Sequence, residues 1–277
     1  MKNAEFKILK SGGYPQTFSR RKLLLSLKRS GLPNKQCQKI TDEVANAVDE
    51  GSNTKSIYQK ALRLVNQSSS LAAVNYSLKR AIFDLGPAGH YFEAFVGRYF
   101  QELGYSTKTC QVLQGRFVTH EVDVVATRKG KDSFVECKFH NRSGIKNDIK
   151  IALYVKARRD DLRDGPAGKN LKDFYVASNT AFTSDAIKYS KGSDIHLLGI
   201  NAPIEHPFIE EVRGLRLYPV TSLRSINRHY KLELLKRDIV LAKELTSNVS
   251  ALEKMGFTEN EINKVLDEVE LLTQGVV

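Results

Sequence analysis

Long apolar runs are missing from this sequence. No stretch approaches the ~20 residues that a membrane-spanning helix requires, and the opening MKNAEFKILKSGG has no apolar core of a secretion signal. Cysteine is scarce as well. Cys37, Cys110 and Cys137 are odd in number, scattered and without CxxC spacing, which argues against a disulfide framework or structural zinc and for a reducing compartment. There is no GxxxxGKS/T, so a P-loop motor is not indicated. Internal repeats and low-complexity tracts are missing too. A soluble, cytoplasmic, globular chain is the expectation. Acidic residues are also short: 43 Lys and Arg stand against 31 Asp and Glu, a formal charge of +12. A polyanionic partner, nucleic acid first, is the natural inference. The excess is uneven, at +9 over residues 1–85, +5 over 86–200 and −2 over 201–277.

What is present reads as three segments in 277 residues, enough for more than one compact core. The first opens with a short alternating stretch, Glu5 to Lys10, and a turn at Gly12-Gly13. A helix follows, capped by Thr17 or Ser19 and ended by Gly31, then helices at Asn34–Glu50, Thr54–Asn66 and Ser70–Asp84. LGPAG at 85–89 breaks the pattern. Next come a helix at His90–Leu103, strands near Ser106–Leu113, Phe117–Thr127 and Ser133–Phe139, and a helix at Ile145–Asp164. Strand Phe174–Ala177, helix Ser184–Lys191 and strand Ile195–Gly199 complete this part. From Pro203 on, helices are expected at Ser222–Lys243, Ser247–Met255 and Glu259–Leu272. The fold class is therefore α/β overall: a helical domain with a small β-hairpin at 1–85, a mixed sheet flanked by helices at 86–202, and a helical module at 203–277.

Hydrolysis of a phosphodiester needs an activated water and neutralised phosphate oxygens, which acidic residues holding Mg²⁺ can supply with help from a lysine. In HEVDVVA the period of two puts Glu121, Asp123 and Val125 on one face. In FVECKFH it puts Glu136, Lys138 and His140 on one face, with Val135, Cys137 and Phe139 opposite. Joined by the turn at Lys129–Asp132, the two strands bring Asp123 and Glu136 together. His120 and His140 flank the pair, read as solvated or supporting groups more often than as direct phosphate contacts.

An E-x-K triplet alone means little. The wider pattern is a helix with Glu93, then Gly104-Tyr105, an Asp-bearing strand, and E-x-K. It resembles the PD-(D/E)XK restriction-endonuclease-like superfamily. FYVASNTAFTSDAIKYSKGSDIHLLGI resembles the later part of its Mrr-type branch, the whole spanning about 86–202. The resemblance implies that Asp123 and Glu136 bind Mg²⁺ or Mn²⁺, that Lys138 is the catalytic lysine, and that Glu93 supports the metal. QGRFVTHEVDVV departs from the glycine-rich, Asp-containing version common in the branch, a difference that bears on specificity.

In the first segment, K-x-G-G…F-S-x-x-K-L with the late Tyr76…Arg80 resembles an ATP-cone, a small nucleotide-binding regulatory domain. That resemblance implies ATP or dATP as an effector, with Lys10, Arg21 and Lys22 near its phosphates. The last segment faintly resembles a helix-hairpin-helix DNA-binding element around MGF, and a plain packing or dimerising bundle reads equally well. Together these resemblances imply a metal-dependent DNA endonuclease regulated by nucleotide, serving restriction, defence or repair. The alternative is a nucleotide-responsive DNA-binding regulator that does not cut. A homodimer would suit double-strand cleavage by a single-site domain.

Overall fold

The computed structural model describes residues 6–9, 14–86, 88–142 and 144–274. Two units emerge, residues 1–78 and 79–277, with the boundary inside a helix.

In the first unit a two-stranded antiparallel hairpin, β1 (Lys7–Leu9) with β2 (Pro15–Thr17), precedes four helices. These are α1 (Arg20–Lys28), α2 (Asn34–Asn46), α3 (Thr54–Ser68) and α4 (Ser70–Phe83). Of the two candidate caps for α1, Ser19 does the work, accepting from the Lys22 N–H at 3.2 Å. Asn53 caps α3 in the same way, from the Ser56 N–H at 2.7 Å. Leu23, Leu27, Cys37, Ile40, Val44, Ala61 and Val65 make the core. Their spacings of three, four and seven residues within each helix are those of a buried stripe. Lys10 and the Gly12-Gly13 turn lie outside the described residues.

The second unit is built on a five-stranded sheet. Helix α5 (His90–Glu102) leads into β3 (Ser106–Gln114), β4 (Thr119–Arg128) and β5 (Lys131–Lys138), an antiparallel meander. A tight turn at Lys129 and Gly130, both at positive φ, joins β4 to β5. After the short β6 (Lys146–Asn147), helix α6 (Ile149–Arg163) crosses over to β7 (Leu171–Ser178), which runs parallel to β5. Then β8 (Ala181–Phe182) pairs with β6, α7 (Ser184–Gly192) follows, and β9 (Ile195–Leu198) adds parallel to β7. The order β3-β4-β5-β7-β9 makes the sheet mixed and places β5 at its centre. Buried on both sides, β5 has no solvated face, so a charged residue there must find partners inside.

Helix α6 also fixes the β3–β4 loop. Asp161 accepts from the Phe117 N–H at 2.9 Å and bonds His120 Nε2 at 2.8 Å, while its carbonyl accepts from the Arg116 N–H at 2.8 Å. Gly165 lets the chain after α6 pass the same loop closely: a Cβ there would lie 2.2 Å from the Gly115 carbonyl carbon.

Past the sheet, α8 (Phe208–Gly214), α9 (Arg228–Lys236), α10 (Val249–Lys254) and α11 (Glu259–Gln274) form the remainder. The continuous helix expected at Ser222–Lys243 is instead broken. Within it only α9 is α-helical, with 3-10 turns touching its two ends. Asp238 then takes a left-handed φ of +58°, and Leu241 runs extended, bridged antiparallel to Pro219. The Val240 carbonyl accepts from the Val220 N–H, and the Ala242 N–H donates to the Tyr218 carbonyl, each at 2.8 Å. A short extended pairing, which satisfies the same backbone groups, has beaten helical periodicity. This part is tied to α5: Arg98 donates to Glu244 at 2.6 Å and to Asp238 at 2.8 Å, and Tyr99 donates to Glu211.

Substituting Gly165→Ala should therefore force backbone apart at the β3–β4 loop and cost about 2 kcal/mol, an overpacking penalty. Thermal melting of the variant checks it, and an unchanged midpoint would show that the loop yields without cost.

Candidate active site

Register sets the site. Val124 pairs with Val135 at the last step of the β4–β5 ladder, so the next step brings Asp123 towards Glu136. There the ladder opens, and the Cys137 N–H donates to Asp123 Oδ2 at 2.6 Å. A side chain has taken over a backbone hydrogen bond, which holds the carboxylate at the junction of the two strands.

Glu136 is 4% exposed and accepts from two cations. Lys138 Nζ lies 2.7 Å from Oε1, and Arg158 Nη1 from α6 pairs with Oε2. The other Arg158 terminal nitrogen donates to the Glu121 carbonyl, so the guanidinium joins β4 to β5. The end of β5 is fixed from β7 as well, where Ser178 Oγ donates to the Lys138 carbonyl at 2.8 Å.

Glu93 stands in the first turn of α5. Its Oε2 accepts from Cys110 Sγ at 3.6 Å, and Cys110 itself adopts a φ of +52° on β3. Burial pushes the Glu93 carboxyl up, Cys110 counters it, and the charges of Glu121 and Glu136 raise it further. Asp123 feels this more strongly. Burial first, then Glu136, push its carboxyl to about 7 from an ordinary 3.8, against the Cys137 N–H. Glu93, Glu121, Asp123 and Glu136 thus share one electrostatic neighbourhood, with Lys138 on their side of the sheet end.

Among the described residues no three His, Cys, Asp or Glu side chains form a ready metal cage. The donor set still suits Mg²⁺ or Mn²⁺: hard carboxylate oxygens, half out of water and mutually repelling. Mg²⁺ takes one or two such ligands and keeps its remaining waters.

The other expected participants are engaged elsewhere. His120 is held by Asp161, and His140 Nε2 bonds Asn147 Oδ1 at 2.9 Å. Burial, then the neighbouring carboxylates, hold the Cys137 thiol well above its ordinary range. Glu121 is exposed, and its carbonyl accepts from Arg158. Arg21 and Lys22 are exposed in the first turn of α1. Arg158 was not anticipated from the sequence. The signal existed: α6 buries Ala152, Val155 and Leu162, and two arginines beside that stripe, Arg158 and Arg159, are each 9% exposed.

With this geometry in view, the relatives are informative. A family profile described as restriction endonuclease matches residues 87–202, and one described as AF1548-like, C-terminal, matches 218–273. An uncharacterized protein of Archaeoglobus fulgidus is 30% identical over 174 residues, which cover 62% of this chain and 97% of the relative. The chain belongs to the AF1548-like family. The crystal structure of AF1548, a protein of unknown function, resembles this AF1548-like chain with a TM-score of 0.56 and 29% identity, over 68% of this chain and all of that one. The central domain is restriction-endonuclease-like, with a mixed sheet flanked by helices. No helix among the described residues is long and apolar enough to cross a membrane.

The raised Asp123 carboxyl carries a sign. Its folded-state affinity for a proton exceeds the unfolded one, so its contribution favours folding at acid pH and is lost as pH rises from about 4 through about 7. Metal-free Asp123→Asn protein should therefore melt higher than wild type at about pH 8, by a margin that shrinks on acidification. Melts in chelator at several pH values test this, and a lower midpoint for the variant at alkaline pH would contradict it.

Proposed function

We propose that this chain is a metal-dependent DNA endonuclease, with Asp123 and Glu136 as metal ligands, Glu93 in support and Lys138 as the catalytic lysine. The observation that supports it most is the convergence of Asp123, Glu136 and Lys138 at the open end of the β4–β5 ladder. A bound Mg²⁺ or Mn²⁺ would supply a water of lowered pKa and charge neutralisation at the phosphate.

The chain's own groups do the rest. Glu136 is held in one orientation by Arg158, so its carboxylate is preorganised rather than free to swing. Lys138 Nζ, half-exposed and beside that carboxylate, presents donors that can orient an attacking water or meet charge on a phosphate oxygen. Asp123, with its carboxyl near 7, can hold or release a proton near neutral pH. Arg158 is a positioning residue, since it acts through Glu136.

For the N-terminal unit we infer a nucleotide effector, ATP or dATP. Supporting this, the exposed side chains of Arg21 and Lys22 have no ion-pair partner among the described residues, leaving both free for phosphate. Lys10 belongs to the same assignment. Restriction, defence or repair of DNA is the biological setting, in the cytoplasm, with a homodimer where both strands are cut.

A second reading has its own support. Both Glu136 oxygens are already satisfied by Lys138 and Arg158, as a nucleotide-responsive DNA-binding regulator without cleavage would allow. Plasmid cleavage separates the two. Wild type with Mg²⁺ or Mn²⁺ should cut, Lys138→Ala and Asp123→Ala should lose at least ~100-fold in rate, the scale of a lost catalytic group, and ATP should alter the wild-type rate. Fully active Asp123→Ala protein would sink the nuclease assignment. Binding without cutting would favour the regulator.

A further inference from the structure

Off the carboxyl end of β5 lies a cavity of about 540 Å³ whose walls include Arg80, Phe83, Asp84, Asn141, Arg228 and Lys231. Its charge is one-sided. The one acid in the wall, Asp84, is already paired with Arg80 at 2.9 Å, which leaves Arg228 and Lys231 in excess. Arg228 is exposed and has no ion-pair partner among the described residues. Lys231 donates to the Thr221 carbonyl at 3.1 Å, and burial pulls its pKa down against the opposing charges of Glu268 and Asp84. An ammonium held partly out of water, with a carbonyl as its near partner, is a group that an anion would stabilise.

The cavity's position narrows which anion. Asn141 follows Lys138 by three residues, and Phe83 packs against Phe139, the residue next to that lysine, with ring centroids 6.2 Å apart. In open α/β sheets ligands gather off the carboxyl ends of strands, and this cavity lies off the strand that carries the candidate catalytic pair. One wall comes from the end of α4 and the turn after it, Asn141 joins from the restriction-endonuclease-like domain, and the other wall comes from the AF1548-like C-terminal stretch. That stretch has a net negative charge yet turns two cations into the cavity, so its basic residues are placed rather than dispersed.

We propose that this cavity grips a phosphate of the DNA backbone flanking the scissile bond, through Arg228 and Lys231. The assignment rests on the DNA reading above and gives the C-terminal stretch a part in substrate binding. A free nucleotide carries the same phosphate chemistry, so the test must distinguish the two.

The full-length protein, in chelator so that nothing is cut, is titrated onto a fluorescent duplex at a series of salt concentrations. Each phosphate contact contributes about 0.9 to the slope of log K against log salt. The Arg228→Gln, Lys231→Gln double variant should lose about 1 to 2 from that slope and respond to ATP in thermal melts as wild type does. Arg228→Gln alone removes an exposed side chain with no partner to orphan, so its smaller loss of slope stands even where the double variant folds poorly. An unchanged slope in the single and double variants overturns the proposal. So does a lost ATP response with the slope intact, which would make the cavity a free-nucleotide site. Wild-type protein that binds DNA and never cleaves, with the slope still lost in the variants, would defeat the nuclease assignment and leave the phosphate grip standing as a DNA-binding contact. Intact cleavage with unchanged slopes would do the reverse.

Discussion

A carboxylate at the centre of a sheet costs several kcal/mol to bury unless its oxygens are met, and Glu136 is met on both. Lys138 comes from its own strand, and Arg158 reaches it from the crossover helix α6. Because the same guanidinium also takes the Glu121 carbonyl, α6 is located on the sheet by charge as well as by the apolar packing of Val155 and Leu162. Asp123 is left as the carboxylate without a cation of its own. Its elevated proton affinity is the counterpart of its neighbour's satisfaction. The site is thus poised by unequal sharing: two positive charges for one acid, a backbone N–H for the other.

How much of this was legible in the sequence depended on distance along the chain. The β4–β5 pair was readable because strand alternation and a two-residue turn at Lys129 and Gly130 are local facts, and they bring Asp123 and Glu136 together without further information. The cap at Ser19 was readable for the same reason. Arg158 was harder, since its partner is 22 residues away and only a helix crossover brings them together. His120 and His140 read as groups near the site because they flank it in sequence. Their true partners, Asp161 and Asn147, are set by tertiary structure.

The C-terminal break shows the opposite failure. From Ser222 to Lys243 the apolar residues fall at helical spacing, yet Asp238 turns the chain and Leu241 pairs with Pro219 of a neighbouring segment. Periodicity counts apolar residues at intervals. It does not see that one extended pairing can satisfy backbone groups as well as a helix does. The cavity beside β5 was invisible for a related reason, since Arg80, Asn141 and Lys231 come from three separated stretches.

Arg98 draws a boundary that family profiles do not. Its guanidinium, on the first helix of the restriction-endonuclease-like domain, is neutralised by Asp238 and Glu244 of the C-terminal stretch. Residues 79–277 accordingly form a single structural unit even though two separate profiles cover them. A gene fragment ending where the nuclease profile ends would encode every candidate catalytic side chain and still leave that arginine, only 22% exposed, without its acids. In evolutionary terms the two halves are not interchangeable cassettes: shuffling either onto a new partner would require the recipient to supply matching carboxylates.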